Sequence, residues 1–263
     1  MTAADRTIHR FFATPKAPCP YLPERTERKL FTPLVGGEAS HLHDLLSASG
    51  FRRSQSIVYK PACEGCRSCI PVRVRTGDFI ETRSLRRIER RNNDLVVTEQ
   101  PPLATPEQFL LFRDYQRYRH ALSGMADMDF GDYQDMVEDT TVETALIEFR
   151  DKGGTLRAAC LTDRMADGFS LCYSFFDPEA AYRSLGTQIV LWHIRKAQRI
   201  GLPYVYLGYW IAESPKMSYK TRFQPLEGLL LALQGWRDLS EIAPGPISGC
   251  ATGAATRSAA RPR

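Results

Sequence analysis

Residues 61–71 read PACEGCRSCIP and place Cys63, Cys66 and Cys69 within seven positions. Thiolates at this spacing ligate zinc and iron–sulfur clusters, and both need a fourth ligand from elsewhere in the chain. Sequence does not separate the two, and a group of reduced, metal-free thiols is the alternative. A second concentration of chemistry lies at 206–225, YLGYWIAESPKMSYKTRFQP. Tyr209, Trp210 and Tyr219 offer rings that stack on unpaired bases. Lys216, Lys220 and Arg222 offer cations for phosphates or a carboxylate. The competing reading is a strand followed by a charged surface loop. The third concentration is RSLRRIERR, five arginines between Arg83 and Arg91. On a helix Arg83, Arg87, Arg90 and Arg91 share a broad face, either solvated and paired or built for phosphate. His120 and His193 are candidate bases, but His193 sits mid-helix beside Trp192, where packing is the stronger reading.

These residues need elements to hold them. In the first hundred residues a short helix is expected near 38–48. Strands follow at FRRSQSIVYKP and IPVRVRTGDF, then the arginine helix ending near Asn92–Asn93. VVTEQ reads as a strand, and Thr105-Pro106-Glu107 as a helix start with a capping residue and proline in the first turn. The helix it opens carries Phe109, Phe112, Tyr115 and Tyr118 at three- and four-residue spacing, a core-facing stripe. Next, VETALIEFRD turns at Gly153-Gly154 into TLRAACLTDR, which turns at Asp167-Gly168 into FSLCYSFFD, two hairpin signals in succession. An amphipathic helix, SLGTQIVLWHIRKAQRIG, stops at Gly201, and LPYVYLGYW follows as a buried strand. The division expected is 1–100, 101–239 and a disordered tail at 240–263 rich in Gly, Ala, Ser and Pro.

The totals narrow the class. The chain has 263 residues, 43% hydrophobic and 25% charged, with a net charge of +5 that permits nucleic-acid binding without requiring it. No secretory leader is visible at the start, and LEGLLLAL is far shorter than the roughly 20 apolar residues a membrane span needs. A cytoplasmic protein without membrane or DNA partners is expected. Seven cysteines, an odd number, argue against a disulfide framework. Cys160 and Cys172, in apolar strand-like runs, read as buried inert thiols, and Cys250 falls in the tail.

A strand meander, one helix and a further strand is the order of the N-acetyltransferase-like (GNAT-type) acyltransferase fold, an α+β architecture here preceded by a cysteine-containing domain. Enzymes of that fold using acetyl-coenzyme A cradle its pyrophosphate on a glycine-rich helix start. The equivalent here is RSLGTQ, in which Arg183 and Gly186 fit but Gln188 replaces a small residue. A side chain there would crowd a pyrophosphate, which points to a different acyl donor. An aminoacyl-tRNA carries an activated ester and a phosphate backbone that Lys and Arg neutralise.

At this point the chain resembles the aminoacyl-tRNA–protein transferases. The resemblance is carried by CPYLP at 19–23, YKPACEGCRSCIPVRV at 59–74, RSLRRIERRN at 83–92, SFFDP at 174–178, RSLGTQIVLWHI at 183–194 and YVYLGYWIAESPKMSYKTRFQPLE at 204–227. The match runs in order from about residue 9 to 239 and is nearest to the bacterial aspartate/glutamate leucyltransferase branch. Leu22 and Ile70 stand where the eukaryotic, arginine-transferring relatives carry further cysteines. The resemblance implies transfer of leucine from leucyl-tRNA to proteins with N-terminal Asp or Glu, marking them for N-degron degradation. Arginine transfer is the runner-up, and a non-catalytic RNA-binding regulator with a cysteine metal site the reading from outside the class. Aminoacyl-tRNA would be the co-substrate and no cofactor is required for the chemistry, since an amine with pKa near ~7.7–8.0 attacks an already activated ester. Motif membership makes Tyr209, Tyr219 and Lys216 the catalytic candidates. Arg73, Arg87, Arg90, Lys220 and Trp210 become the candidates for substrate. Cys19, in its own motif, is the fourth candidate ligand beside Cys63, Cys66 and Cys69 for zinc or an iron–sulfur cluster.

Overall fold

The computed structural model describes residues 9–119, 124–230 and 235–242. His120, Cys250 and the tail beyond 242 lie outside the described residues. The expected elements form in order, except that FRRSQSIVYKP is not one strand but a hairpin of two. The short strands β1 (Phe12–Ala13), β2 (Ala17–Pro18) and β3 (Thr26–Glu27) precede β4 (Lys29–Pro33), and helix α1 (Ala39–Ala48) leads to β5 (Arg52–Ser54) and β6 (Ile57–Pro61). β1, β4, β6 and β5 make a small antiparallel sheet, and β2 pairs with β3 alone. Then come β7 (Ile70–Arg75), α2 (Arg83–Arg91), β8 (Val96–Gln100), α3 (Pro106–Arg119) and α4 (Phe130–Glu138). The rest is β9 (Thr144–Arg150), β10 (Leu156–Met165), β11 (Gly168–Phe176), α5 (Leu185–Ile200), β12 (Tyr204–Trp210), a 3-10 segment at Pro215–Arg222, β13 (Leu226–Leu230) and β14 (Gly235–Asp238).

The large sheet has eight strands in the order β14-β13-β7-β12-β11-β10-β9-β8 and takes β7 and β8 from before residue 100. It is covered on both faces, and the strand period of two assigns the residues. On β10, Ala158 and Cys160 face α5 together with Ile147, Phe149, Leu185 and Ile189. Ala159 and Leu161 face α3 and α4 together with Phe112, Tyr115, Tyr133 and Val137. The aromatic stripe of α3 is therefore core at Phe112 and Tyr115, while Tyr118 at its end is exposed. α2 packs Leu85 and Ile88 beside α5 over β7 and β12, burying them with Val72, Val74, Val190, Leu191, Ile194 and Val205. Helix starts follow local chemistry: the Thr82 hydroxyl accepts from the Leu85 amide, and Asp129 and Asp132 form a capping box on α4.

One break in the sheet matters for everything below. β11 and β12 are the parallel pair joined by α5, and they pair only over Gly168–Ser170 and Tyr204–Tyr206. The close approach at its start demands glycine, because a β-carbon on Gly168 would lie 2.2 Å from the Tyr204 carbonyl oxygen. Beyond Ser170 the two strands part and the sheet opens between them.

Candidate active site

Two cations enter the opening. Arg52, the first residue of β5, donates from Nη2 to the carbonyls of Leu171 (2.7 Å) and Cys172 (3.1 Å), just past the end of the parallel pairing on β11. Lys220, from the 3-10 segment, donates from Nζ to the carbonyl of Tyr209 on β12. Arg52 reaches this place only because residue 208 is glycine. Gly208 has φ +80°, and a β-carbon built on it would sit 1.2 Å from Arg52 Nη1. Among the described residues no carboxylate pairs with Arg52 or Lys220, and Lys220 is 6% exposed. Burial, followed by the charge of Arg52, lowers the Lys220 ammonium from 10.5 to about 7.

Two cavities meet at these cations. The first, about 750 Å³, runs from β5 to α4 and is walled by Tyr59, Leu161, Asp135 and four methionines. The second, about 510 Å³, runs along the opening to the start of α5 at Ser184–Thr187 and has Arg119, Lys216 and Tyr219 on its wall. Arg52, Lys220, Tyr21, Cys172, Tyr173 and Met217 border both. A cleft with one buried and one half-buried cation, neither paired with a carboxylate, at the junction of two chambers can hold an anion beside a reacting centre, since an uncompensated charge removed from water is costly until a partner arrives.

Arg53, next along β5, is different. Its Nε and Nη2 each lie 2.6 Å from a carboxylate oxygen of Asp163 on β10, and Thr144 also donates to Asp163 at 2.8 Å. Burial pushes Asp163 up, but Arg53 outweighs it and holds the carboxyl below its ordinary range. His43 sits 3.5 Å from Asp163 without a hydrogen bond, and burial lowers its pKa, against the pull of that carboxylate. The Cys172 thiol, 3.0 Å from Asp163, is pushed up by burial and then by that carboxylate. Cys172 is thus a protonated thiol at the cavity wall, whereas Cys160 is fully buried as expected.

The residues singled out by sequence separate into two sets. Lys216, Tyr219 and Lys220 gather at the second cavity, where burial pushes the Tyr219 phenol up to about 12. Tyr209 borders the first cavity, but its hydroxyl lies 3.0 Å from the Gly50 carbonyl and 3.1 Å from that of Tyr59, tying β12 to the small sheet. Trp210 is 4% exposed in the core around β7 and β12, so the expected base-stacking face is turned inward. Arg73 is also remote from the cavities: Glu227 pairs with it at 2.8 Å, and its guanidinium lies between the rings of Tyr204 (3.5 Å) and Trp236 (4.2 Å). Arg87 and Arg90 are exposed on α2, away from both cavities. His193 is packed, with Thr162 and the Ile189 carbonyl on its two nitrogens, and burial lowers it to about 4. Gln188 corrects another expectation. Its side chain faces the groove between α2, α5 and β8 and not the second cavity, so it crowds nothing at the helix start.

The cysteines share one neighbourhood. Burial first, then Cys63, Cys19 and Cys66, push the Cys69 thiol up to about 12. Among the described residues, however, no group of three or more His, Cys, Asp or Glu side chains is arranged to hold a metal ion. The expected zinc or iron–sulfur site gains no support from this geometry, and no chemical step is derived through it. No helix among the described residues is long and apolar enough to cross a membrane.

Sequence reasoning passed over Arg52, Gly208 and α4. The capping pattern Asp129-x-x-Asp132 was the available signal for α4. Nothing local marks Arg52, whose partners lie about 120 positions away.

Comparison with known proteins adds an independent line. The model of the arginine-tRNA-protein transferase N terminus matches residues 17–87, and that of its C terminus residues 107–230. An aspartate/glutamate leucyltransferase of Paramagnetospirillum magneticum is 54% identical over 237 residues, 90% of this chain and 95% of that one. One from Azorhizobium caulinodans is 50% identical over 251 residues, 92% of this chain and all of that one. The solved structure of L-PGS from Bacillus licheniformis has a TM-score of 0.41 at 12% identity, covering 55% of this chain and 47% of that one, a likeness that carries no argument.

Proposed function

The chain belongs to the arginine-tRNA-protein transferase family, and on that premise we propose that it transfers leucine from leucyl-tRNA to the α-amine of proteins beginning with Asp or Glu. The relatives at about half identity carry the choice of leucine, and the unpaired Arg52 at the junction of the two cavities carries the choice of acceptor. An N-terminal Asp or Glu supplies the carboxylate that Arg52 lacks. Among the described residues its guanidinium is bound only to backbone carbonyls, so its charge suits that group. The reaction marks such proteins for degradation and runs in the cytoplasm, where charged tRNA is found.

The fold reading is a GNAT-like acyltransferase, supported by the antiparallel meander β9–β11, the crossover helix α5 and the parallel strands that part after Ser170. The second cavity takes the tRNA 3′ end, with Lys216 and Arg119 near its phosphates and Tyr219 beside the terminal base. The acceptor enters by the first cavity, and the two substrates meet at Lys220. There the amine nitrogen bonds to the ester carbonyl carbon and the carbon–oxygen bond to the ribose breaks. The proton shed by nitrogen passes through Lys220 to the ribose oxygen. A pKa of about 7 suits Lys220 to that relay near neutral pH, and the acceptor carboxylate at Arg52 brings it closer to that of the amine it serves. Juxtaposition of amine and ester supplies up to ~7–11 kcal/mol of the barrier.

The test uses the purified chain, peptides beginning with Asp, Glu or Ala, and tRNA charged with radiolabelled leucine or arginine. Leucine on the Asp and Glu peptides alone is the expected result. Arginine in its place overturns the donor, and label on the Ala peptide overturns the role of Arg52.

A further inference from the structure

We propose that the methionine-walled end of the first cavity is the pocket for the side chain of the transferred leucine, with Met128 and Met136 setting its size. The inference rests on the leucyl-transfer reading above and adds the residues that select the donor.

Four of the six methionines in the chain border this one cavity. Met125 comes from the turn at Gly124–Asp127, Met128 from just before α4, Met136 from α4 and Met217 from the 3-10 segment. All four are half-buried, so each presents part of its surface to the cavity while the rest packs on the core. Leu161, from β10, closes the wall between them. Unbranched thioether side chains mould to an apolar guest, which suits an isobutyl group and gives a carboxylate nothing to bind. The acceptor's carboxylate is served by Arg52, where this cavity meets the second.

The same wall disfavours arginine as the donor. A guanidinium lodged among these thioethers needs a buried anion, and the one buried carboxylate on that side, Asp163, is already bound by Arg53, Thr144 and Cys172. Asp132 caps α4, and Asp135 is exposed at the rim, where pairing is screened by water. Met217 borders both cavities beside Lys220, so a leucyl group carried on the tRNA end in the second cavity passes its side chain across that boundary into the first.

Discrimination by an apolar pocket is modest per methylene, about 10–200-fold, so truncating a wall residue should be visible as a change of donor. The experiment is a donor competition on an Asp-initial peptide with tRNAs charged with leucine, methionine, valine and phenylalanine, using Met136→Ala, Met128→Ala and the conservative Met136→Leu. Met128 lies outside the helix, so its truncation removes no side chain from α4 itself. Phenylalanine transfer relative to leucine should rise roughly tenfold or more in the two alanine variants, stay near wild type in Met136→Leu, and leave the preference for Asp over Ala acceptors unchanged. Unaltered donor ratios in both alanine variants overturn the pocket assignment, as does a shift in acceptor preference with the donor ratio fixed. A wild-type chain that transfers leucine to no peptide overturns the underlying reading instead.

Discussion

Replacing Lys220 by methionine should stabilise this protein while abolishing its transfer activity. Methionine keeps the length and flexibility of the lysine stem and removes the ammonium. Lys220 is buried, beside Arg52 and the ring of Tyr219, with the Tyr209 carbonyl as its hydrogen-bond acceptor. Its pKa falls from 10.5 unfolded to about 7 folded, and at ~1.36 kcal/mol for each pH unit that is a penalty of about 5 kcal/mol at or below pH 7. Loss of the hydrogen bond to the Tyr209 carbonyl returns ~1–3 kcal/mol. The net gain for Lys220→Met is therefore about 2–4 kcal/mol at pH 7, or roughly 4–16 °C in Tm for a chain of this size.

The sign of the pH dependence identifies the source. Between pH 7 and 10.5 the unfolded chain binds a proton that the folded chain does not, so wild-type stability rises with pH across that window. The variant lacks the group, and its advantage should shrink by about 2–3 kcal/mol between pH 7 and pH 9. Urea denaturation of both proteins at the two pH values measures this directly. Single-turnover transfer should fall on the order of 100-fold or more, the usual contribution of a positioned acid–base group. A variant less stable than wild type at pH 7, or a stability difference that ignores pH, refutes the argument that Lys220 is an unpaired buried ammonium held in place for function.

Other expectations follow from the same geometry. Gly208→Ala places a β-carbon where Arg52 Nη1 lies and forces a left-handed φ on alanine; it should cost ~1–2 kcal/mol from the backbone alone, seen by thermal melting, and raise KM for Asp peptides more than it lowers kcat. Asp163→Asn leaves Arg53 buried without its anion and should lose about 3–5 kcal/mol of stability by denaturant titration.

Much of the scaffold was legible because local patterns specify it. The hairpin turns at Gly153-Gly154 and Asp167-Gly168, the Thr105-Pro106 helix start and the stop at Gly201 each act within a few residues, and the structure places elements at all four. The site was legible only where its residues share a segment, as Lys216, Tyr219 and Lys220 do. Type alone misled for Trp210 and Arg73: the same aromatic and cationic groups that suit RNA also suit a core and a cation–π stack, and burial decides between them. Arg52 was hidden for the opposite reason. Its neighbour Arg53 has the same type and the same strand, yet the pleat turns one toward Asp163 and the other into the opening of the sheet. One position of alternation thus separates a neutralised structural ion pair from a cation that has no carboxylate partner among the described residues. The glycine that admits the second lies more than 150 residues further along the chain, at Gly208. The charge proposed to recognise the acceptor and the lysine proposed to move its proton lie 168 positions apart in the sequence. They meet because the sheet parts between β11 and β12, and its loose carbonyls at Leu171, Cys172 and Tyr209 hold both cations at the break.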